Sequence, residues 1–297
     1  MKRTPLISLI TVNFNTLKDT VEFLESVRHL SYPHIETIVV DNFSKESPGP
    51  MLTKKFPNII FIQSSKNLGF AGGNNLGIQA AKGDYLFFLN SDTIVSPDFL
   101  QPLIEFMESN QKVGMASPKV LFADNKTIQY AGAVAINPYT GRGKRVGLGE
   151  EDKRQYDTCY PTGLGHGAAL LVRREVIIQV GLMPEIFFLY YEEHDWCEQA
   201  KRKGFEMYYL GIASIIHKEG MSTGGDESPL KIYYMSRNRL LFHRRNSKGF
   251  PFLIGLLFFS LIAVPKTTAK YLLGGKVQQI KAFYRGIGWN LVNWRLL

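Results

Sequence analysis

From Leu6 to Asn110 short β-branched apolar runs alternate with helical repeats, and few architectures accept that order. Leu6-Ile7-Ser8-Leu9-Ile10-Thr11-Val12 reads as a strand, and Leu17, Val21, Leu24, Val27 and Leu30 then recur at helical spacing. Ile35–Val40 is a second strand ending at Asp41-Asn42, and Asn58–Ile62 is a third. The stretch Asn67–Asn75 reads as a loop leading into a helix that runs through Ala81. Asp84–Leu89 is a fourth strand, ending at Asn90-Ser91-Asp92, and Pro97–Asn110 has helical spacing. This order predicts an α/β fold with a mostly parallel central sheet and helices on both faces. Ligands of such sheets bind beyond the carboxyl ends of the strands, where Asp41 and Asp92 fall, although Asp also makes ordinary turns there.

The second half is less regular. Residues 120–165 are rich in Gly and Tyr and predict loops with short strands, and Gly167–Val180 returns to an apolar run and a helix. Phe187–Tyr191 leads into Glu192-Glu193-His194-Asp195-Trp196 and a helix over 193–203, followed by a late strand, Met207–Ile216, ending at His217. Phe250–Val264 holds twelve apolar residues in fifteen, between Arg244, Arg245, Lys248 and Lys266, Lys270. A spanning helix needs about 20 apolar residues, so this run predicts a re-entrant or interfacial helix. The chain of 297 residues therefore divides into a body over 1–245 and a helical, membrane-associating tail over 246–297.

Charge separates the same two regions. Residues 1–200 carry 19 Lys/Arg against 22 Asp/Glu, whereas 201–297 carry 16 against 4, and no acid follows Pro229. A net charge of +9 alone would suit a nucleic-acid binder. Cations mixed with long apolar runs and with Trp289 and Trp294 suit an anionic membrane surface better, and nothing in residues 1–200 supports nucleic acid. Met1-Lys2-Arg3-Thr4-Pro5 enters the first strand without the apolar stretch of a secretory signal, which predicts a protein on the cytoplasmic face of the membrane, peripheral or shallowly inserted. Cys159 and Cys197 cannot form a disulfide framework and lack metal-site spacing.

Several stretches, in order, resemble the inverting glycosyltransferases of family 2, especially their rhamnosyltransferase-like branch. They are Thr11-Val12-Asn13-Phe14-Asn15, Val39-Val40-Asp41-Asn42, Asn67-Leu68-Gly69-Phe70-Ala71-Gly72-Gly73-Asn74-Asn75 and Leu89-Asn90-Ser91-Asp92-Thr93, then Gly167-Ala168-Ala169-Leu170-Leu171, Tyr191-Glu192-Glu193-His194-Asp195 and His217. The resemblance covers roughly residues 5–245. It implies a nucleotide-diphosphosugar transferase fold of the GT-A type, a UDP- or dTDP-sugar donor, a divalent metal (Mg²⁺ or Mn²⁺) and transfer with inversion. The acceptor it implies is a glycan, or one linked to a polyprenyl carrier.

On that resemblance Thr11, Asn13, Asp41, Asn67, Gly72, Asn75, Asn90 and Asp92 are expected at the donor. A carboxylate at position 41 can accept the N3–H of uracil or thymine, and the glycines would let backbone approach the donor. That stretch is not a dinucleotide fingerprint, because its glycines fall at 69, 72, 73 and 77. Asn90-Ser91-Asp92 occupies the Asp-x-Asp position with Asn first, so Asp92 and the matching His217 are the expected metal ligands. The base must take the acceptor's proton, and Glu193 matches its position, with Asp195 as the rival. Either acid also suits a helix N-terminus on dipole grounds alone. Gly167 is expected on the acceptor side, and Arg237 either binds a phosphate there or joins the basic face. The competing reading is a non-catalytic sugar-nucleotide or glycan-binding module, favoured by Asn90 and opposed by the acid cluster at 192–195.

Overall fold

A computed structural model describes residues 3–218 and 227–295 of the chain, so the Met1-Lys2 start lies outside the described residues. The expected strands and helices form in order, with α2 and β5 added to them: β1 (Ile7–Asn13), α1 (Leu17–Arg28), β2 (Ile35–Asp41), α2 (Gly49–Lys55), β3 (Ile59–Gln63), α3 (Gly69–Ala80), β4 (Tyr85–Leu89), β5 (Thr93–Val95) and α4 (Leu100–Ser109). There follow β6 (Val113–Leu121), β7 (Ile128–Tyr130), β8 (Ala133–Asn137), β9 (Arg142–Arg145), β10 (Cys159–Pro161), β11 (Ala169–Arg173), α5 (Arg174–Val180), α6 (Glu192–Arg202) and β12 (Glu206–His217). The last helices are α7 (Pro229–Asn246), α8 (Gly249–Phe258), α9 (Val264–Leu273) and α10 (Val277–Val292).

One large sheet runs in the order β10-β12-β6-β11-β4-β1-β2-β3. Its β4-β1-β2-β3 half and the β6–β12 pair are parallel, and β11 enters antiparallel between β4 and β6. Strands in such a sheet are buried on both faces, and β4 is buried at every position. Alternate residues feed two cores. Leu9, Val39 and Phe87 pack under α1 and α4, while Ile10, Val40 and Phe88 pack under α3, α5 and α6.

The Gly-rich stretch expected as a loop is instead helix from Gly69 onward. Gly69 opens it at φ +72, a conformation glycine adopts without strain. A Cβ at Gly73 would stand 2.9 Å from Val12, and one at Gly77 would collide with Ile10, so these glycines let α3 lie flush on the sheet.

The tail also exceeds its expected length. Gly249–Leu273 is one helical run of 25 residues in which an 18-residue window has mean hydropathy 1.8, long and apolar enough by length and composition to cross a membrane. A π-helical turn over Phe259–Ala263 precedes Pro265, whose missing N–H breaks the regular ladder, and the helix continues beyond it. One stripe of the run packs on the body: Phe259 and Ala263 meet Leu240 of α7, and Gly255 lies against His243. The other side exposes Phe250, Leu253, Leu257, Leu261 and Ile262.

Candidate functional site

Beyond the carboxyl end of β4 the chain turns through Asn90-Ser91-Asp92 into β5, which pairs antiparallel with the end of β12 so that Thr93 faces His217. This pairing brings together three groups far apart in sequence. His217 Nε2 lies 3.2 Å from Asp92 Oδ1 and 3.3 Å from Asn90 Nδ2. On the other side of the ring Nδ1 donates to Gln129 Oε1 at 2.7 Å, since a glutamine carbonyl oxygen can only accept. Nε2 is thus the ring nitrogen left to face the Asp92 carboxylate, and with Nδ1 as the N–H of a neutral ring it would offer a lone pair there. Two acceptors facing each other at that distance fit a cation between them, and the Gln129 contact has the form of the outer support usual for metal-binding histidines. Among the described residues no cluster of three or more His, Cys, Asp or Glu could hold a metal by itself. The set at hand, Asp92 and His217 with the Asn90 amide, fits a hard cation that takes its other ligands from a diphosphate.

The acid cluster approaches from α6. Its three carboxylates sit in three different environments. Asp195 is 1% exposed, and its two oxygens accept four hydrogen bonds: from Arg245 Nε and Nη2 (2.9 and 3.0 Å), Asn246 Nδ2 (2.7 Å) and Gln199 Nε2 (2.8 Å). Glu192 is buried with Oε2 unpartnered, and burial, reinforced by the neighbouring Glu193, pushes its pKa well above the usual carboxylate range. Glu193 has Oε2 unpartnered and Oε1 3.7 Å from His194 Nδ1. A Cβ at Gly167 would stand 3.2 Å from that Oε1, so glycine there lets the carboxylate lie against the backbone. The same loop reaches the first group, because Ala168 O accepts from Asn90 N and the His166 ring is 6.0 Å from that of His217. Desolvation first, then the nearby His217 charge, holds the His166 imidazole well below its usual pKa. Glu193, Gly167, Asn90, Asp92 and His217 thus line one neighbourhood.

Residues 8–181, more than half of the chain, match Glycosyl transferase family 2. The chain belongs to that family. It is 24% identical over 239 residues to the low-salt glycan biosynthesis hexosyltransferase Agl10 of Haloferax volcanii, covering 79% of this chain and 74% of that one. It is 23% identical over 245 residues to the N-acetylglucosaminyl-diphospho-decaprenol L-rhamnosyltransferase of Mycobacterium tuberculosis, covering 75% and 79%. Among solved structures, GalNAc-T7 with UDP, GalNAc and Mn²⁺ superposes with a TM-score of 0.62 at 16% identity, over 90% of this chain and 58% of that one. The fold is accordingly of the GT-A type, as expected.

In this family 2 glycosyltransferase several residues expected at the donor have other tasks. Thr11 is fully buried inside the sheet with its hydroxyl unpartnered. Asn13 donates to Asp41 and Ser44 and accepts from Thr16 and Thr20, which ties β1 to the start of α1. Asn67 Oδ1 accepts from Asn42 Nδ2 and Gly69 N and so closes the turn before α3. Gly72 faces Leu68 and Glu185. Asn75 is buried and fully engaged, donating to Met183 O and Glu185 Oε1 and accepting from Met183 N. Asp41 is fully buried, and its oxygens accept from Asn13, the Ser44 hydroxyl and N–H, and Gln63 Nε2 at 2.7 Å.

Arg237 and Asp195 differ most from expectation. The Arg237 guanidinium donates to Ile186 O and sits 4.0 Å from the Trp289 ring centroid, so it staples α10 to the loop before α6, while its Nε is buried without a partner. Asp195 has no oxygen left to act as a base and instead joins α6 to α7. Sequence reasoning missed two polar residues that support the site. Gln129 lies in the weakly periodic region with nothing local to mark it. Asn238 follows Arg237, and its amide donates to Phe187 O, Leu189 O and Tyr190 O. That loop holds Phe188, Tyr190 and Tyr191 at φ 63, 68 and 76, strained for non-glycine residues, directly ahead of the acids.

Proposed function

We propose that this glycosyltransferase transfers one sugar, with inversion, from dTDP-rhamnose or a UDP-sugar to a carbohydrate acceptor carried on a polyprenyl phosphate, in surface polysaccharide synthesis. The observation that carries this reading is the Glu193 carboxylate with Oε2 unpartnered, across the His166–Gly167 loop from Asp92 and His217. In a single displacement the acceptor oxygen attacks the anomeric carbon as the bond from that carbon to the diphosphate oxygen breaks. The hydroxyl proton passes to Glu193, and the nucleoside diphosphate leaves on the opposite face. Asp92 and His217, with Asn90, would hold a divalent metal, which supplies positive charge to the departing diphosphate. A Mn²⁺ ion and UDP accompany the structurally similar GalNAc-T7, and the names of the two relatives support a hexose or rhamnose donor and a lipid-diphosphate acceptor.

Asp41 would recognise the pyrimidine by exchange. Gln63 is exposed and its N–H occupies one Asp41 oxygen, so the N3–H of uracil or thymine can take its place. The tail would hold the enzyme on the cytoplasmic face of an anionic membrane. Gly249–Leu273 packs on the body along one stripe and exposes apolar side chains along the other, which favours a helix lying in the interface over one leaving the body to cross. A thermal-shift titration with UDP, dTDP, GDP and ADP, with and without Mn²⁺, followed by transfer assays with the pyrimidine that responds, tests the reading. Stabilisation by a pyrimidine diphosphate only with metal, together with turnover, is expected. Binding without transfer or hydrolysis would make the chain a sugar-nucleotide-binding module instead.

A further inference from the structure

The hairpin β8–β9 stands apart from the large sheet as a two-stranded unit, with Ala133 paired to Arg145 and Asn137 to Arg142. Its second strand reads Arg142-Gly143-Lys144-Arg145 and is exposed at all four positions. There is no acid from residue 133 to residue 149, and no described carboxylate forms an ion pair with any of the three cations. An exposed, acid-free basic strand is unremarkable as a solvated edge. Its two ends make it more than that.

At its foot the hairpin is bonded to the loop that lies against Glu193. Gly163 N donates to Ala133 O, Ala133 N donates to the Thr162 hydroxyl, and Tyr130 donates to Leu164 O. Arg145 pairs with Ala133 at that foot and acts electrostatically on His166, next to Gly167. At its tip the hairpin rests on the tail. Arg239 donates to Thr140 O, and the Arg142 guanidinium lies 5.3 Å from the ring centroid of Phe258, the last residue of α8. Beyond Phe258 come the exposed Leu261 and Ile262, and before it Leu253 and Leu257. Four strand residues span about 10 Å, enough for a phosphate or diphosphate to lie along β9.

We propose that β9 is the phosphate subsite for a prenyl-phosphate-linked acceptor, with Arg142 and Lys144, on one face of the strand, binding the phosphate oxygens and Arg145 adding positive charge at the foot. The acceptor sugar then reaches Glu193 past the foot of the hairpin, and the prenyl chain runs from its tip along the exposed apolar side of α8. The order sugar, phosphate, hydrocarbon in the ligand matches the order acid cluster, basic strand, apolar helix on the protein. This rests on the lipid-linked acceptor of the proposed function. It commits the strand to phosphate attached to a prenyl chain rather than to bulk anionic headgroups.

The test uses the full chain in neutral detergent with EDTA and geranylgeranyl diphosphate as probe, read by isothermal titration. The variant Arg142→Gln/Lys144→Gln/Arg145→Gln changes only exposed side chains. Its affinity for the probe is expected to fall by roughly tenfold or more, the worth of one lost charge-assisted hydrogen bond. The control Lys82→Gln/Lys112→Gln removes two exposed cations at the opposite ends of β4 and β6 and is expected to leave the affinity unchanged. Sedimentation with phosphatidylcholine vesicles containing phosphatidylglycerol is expected to persist in the triple variant. No probe binding by the unaltered chain, equal affinity in the triple variant, or loss of vesicle binding with probe affinity kept would each overturn the proposal. The nucleotide thermal shift with Mn²⁺ is read separately, so failure of the donor site is distinguishable from failure of this one.

Discussion

Replacing Asn238 by Ala tests whether the acids of α6 are held in place from α7. Three non-glycine residues, Phe188, Tyr190 and Tyr191, have positive φ in the five residues before Glu193. Left-handed backbone costs roughly 1–2 kcal/mol per residue, so the loop holds on the order of 3–6 kcal/mol of strain that its surroundings must offset. Asn238 is fully buried, and its amide serves the carbonyls of Phe187, Leu189 and Tyr190 at 2.9, 2.7 and 2.8 Å. An amide nitrogen carries two hydrogens, so removing it forfeits about two net hydrogen bonds and leaves carbonyls buried without donors, about 2–3 kcal/mol in all. Differential scanning fluorimetry should then show a melting temperature lower by about 4–10 °C. The relaxed loop should also let Glu193 drift, and a misplacement of about 1 Å can cost on the order of a hundredfold in rate. The expected signature is a large fall in kcat for transfer or donor hydrolysis, with nucleoside-diphosphate affinity kept. Asn238→Asp, which turns an acceptor toward the three carbonyls, should be worse than Asn238→Ala. If Asn238→Ala keeps kcat within about twofold and melts with the unaltered protein, the loop does not depend on this residue and the reasoning fails.

Four further outcomes follow from the acid cluster and the metal pair. Glu193→Gln should lower turnover by about 10²–10⁴-fold with little change in melting temperature. Asp195→Asn, which breaks a buried bidentate pair with Arg245, should cost about 3 kcal/mol of stability, seen in denaturant unfolding; reversed effects would reassign the base. Glu192 is raised in the folded state above its ordinary value of 4.5, so folding holds a proton that the unfolded chain releases, and the protein loses stability as pH rises from there towards the folded pKa. Glu192→Gln should therefore melt higher than the unaltered protein by a margin that grows as pH rises above the ordinary carboxylate value of 4.5, and a margin independent of pH would refute this. Gln129→Leu should weaken Mn²⁺ binding in the presence of nucleoside diphosphate by about 10–100-fold, followed by electron paramagnetic resonance, while an unchanged affinity would mean that His217 needs no partner on Nδ1.

The parallel half of the fold was legible because β1, β2 and β4 are largely buried apolar runs and α1 and α4 each show one apolar stripe. Asp92, His217 and Glu193 were legible as residues, but the sequence alone carries no distance between positions 92 and 217. That distance is set by the pairing of β5 with β12, and a three-residue strand leaves almost no trace in hydropathy. The Gly-rich stretch misled for a physical reason. Glycine serves equally for backbone approach to a ligand and for helix approach to a sheet, and only the side chains of Val12 and Ile10 across the gap separate the two. Asn75 misled in the same way, since a buried amide that ties a loop cannot be told in sequence from one that meets a ligand.

The contrast within Glu192-Glu193-His194-Asp195 also bears on how such a site is assembled. Asp195 is neutralised by Arg245 and turned into a joint between α6 and α7. Burial raises the pKa of Glu192 well above the usual carboxylate range, which favours its neutral form beside Glu193. Glu193 alone faces the Gly167 loop with an oxygen free of partners. The loop carrying it is gripped from one side by α3, through Asn75 and through Phe70 N to Phe188 O, and from the other by Arg237 and Asn238 of α7. The same α7 is where Arg245 holds Asp195 and where the apolar tail packs. A shift of α7 on a membrane surface would therefore act on the acid loop through three polar contacts at once. This predicts that vesicle binding raises kcat without altering nucleotide affinity, and that Arg245→Gln abolishes that response while leaving vesicle binding intact. A response preserved in Arg245→Gln would show that the Asp195 joint plays no part in transmitting it.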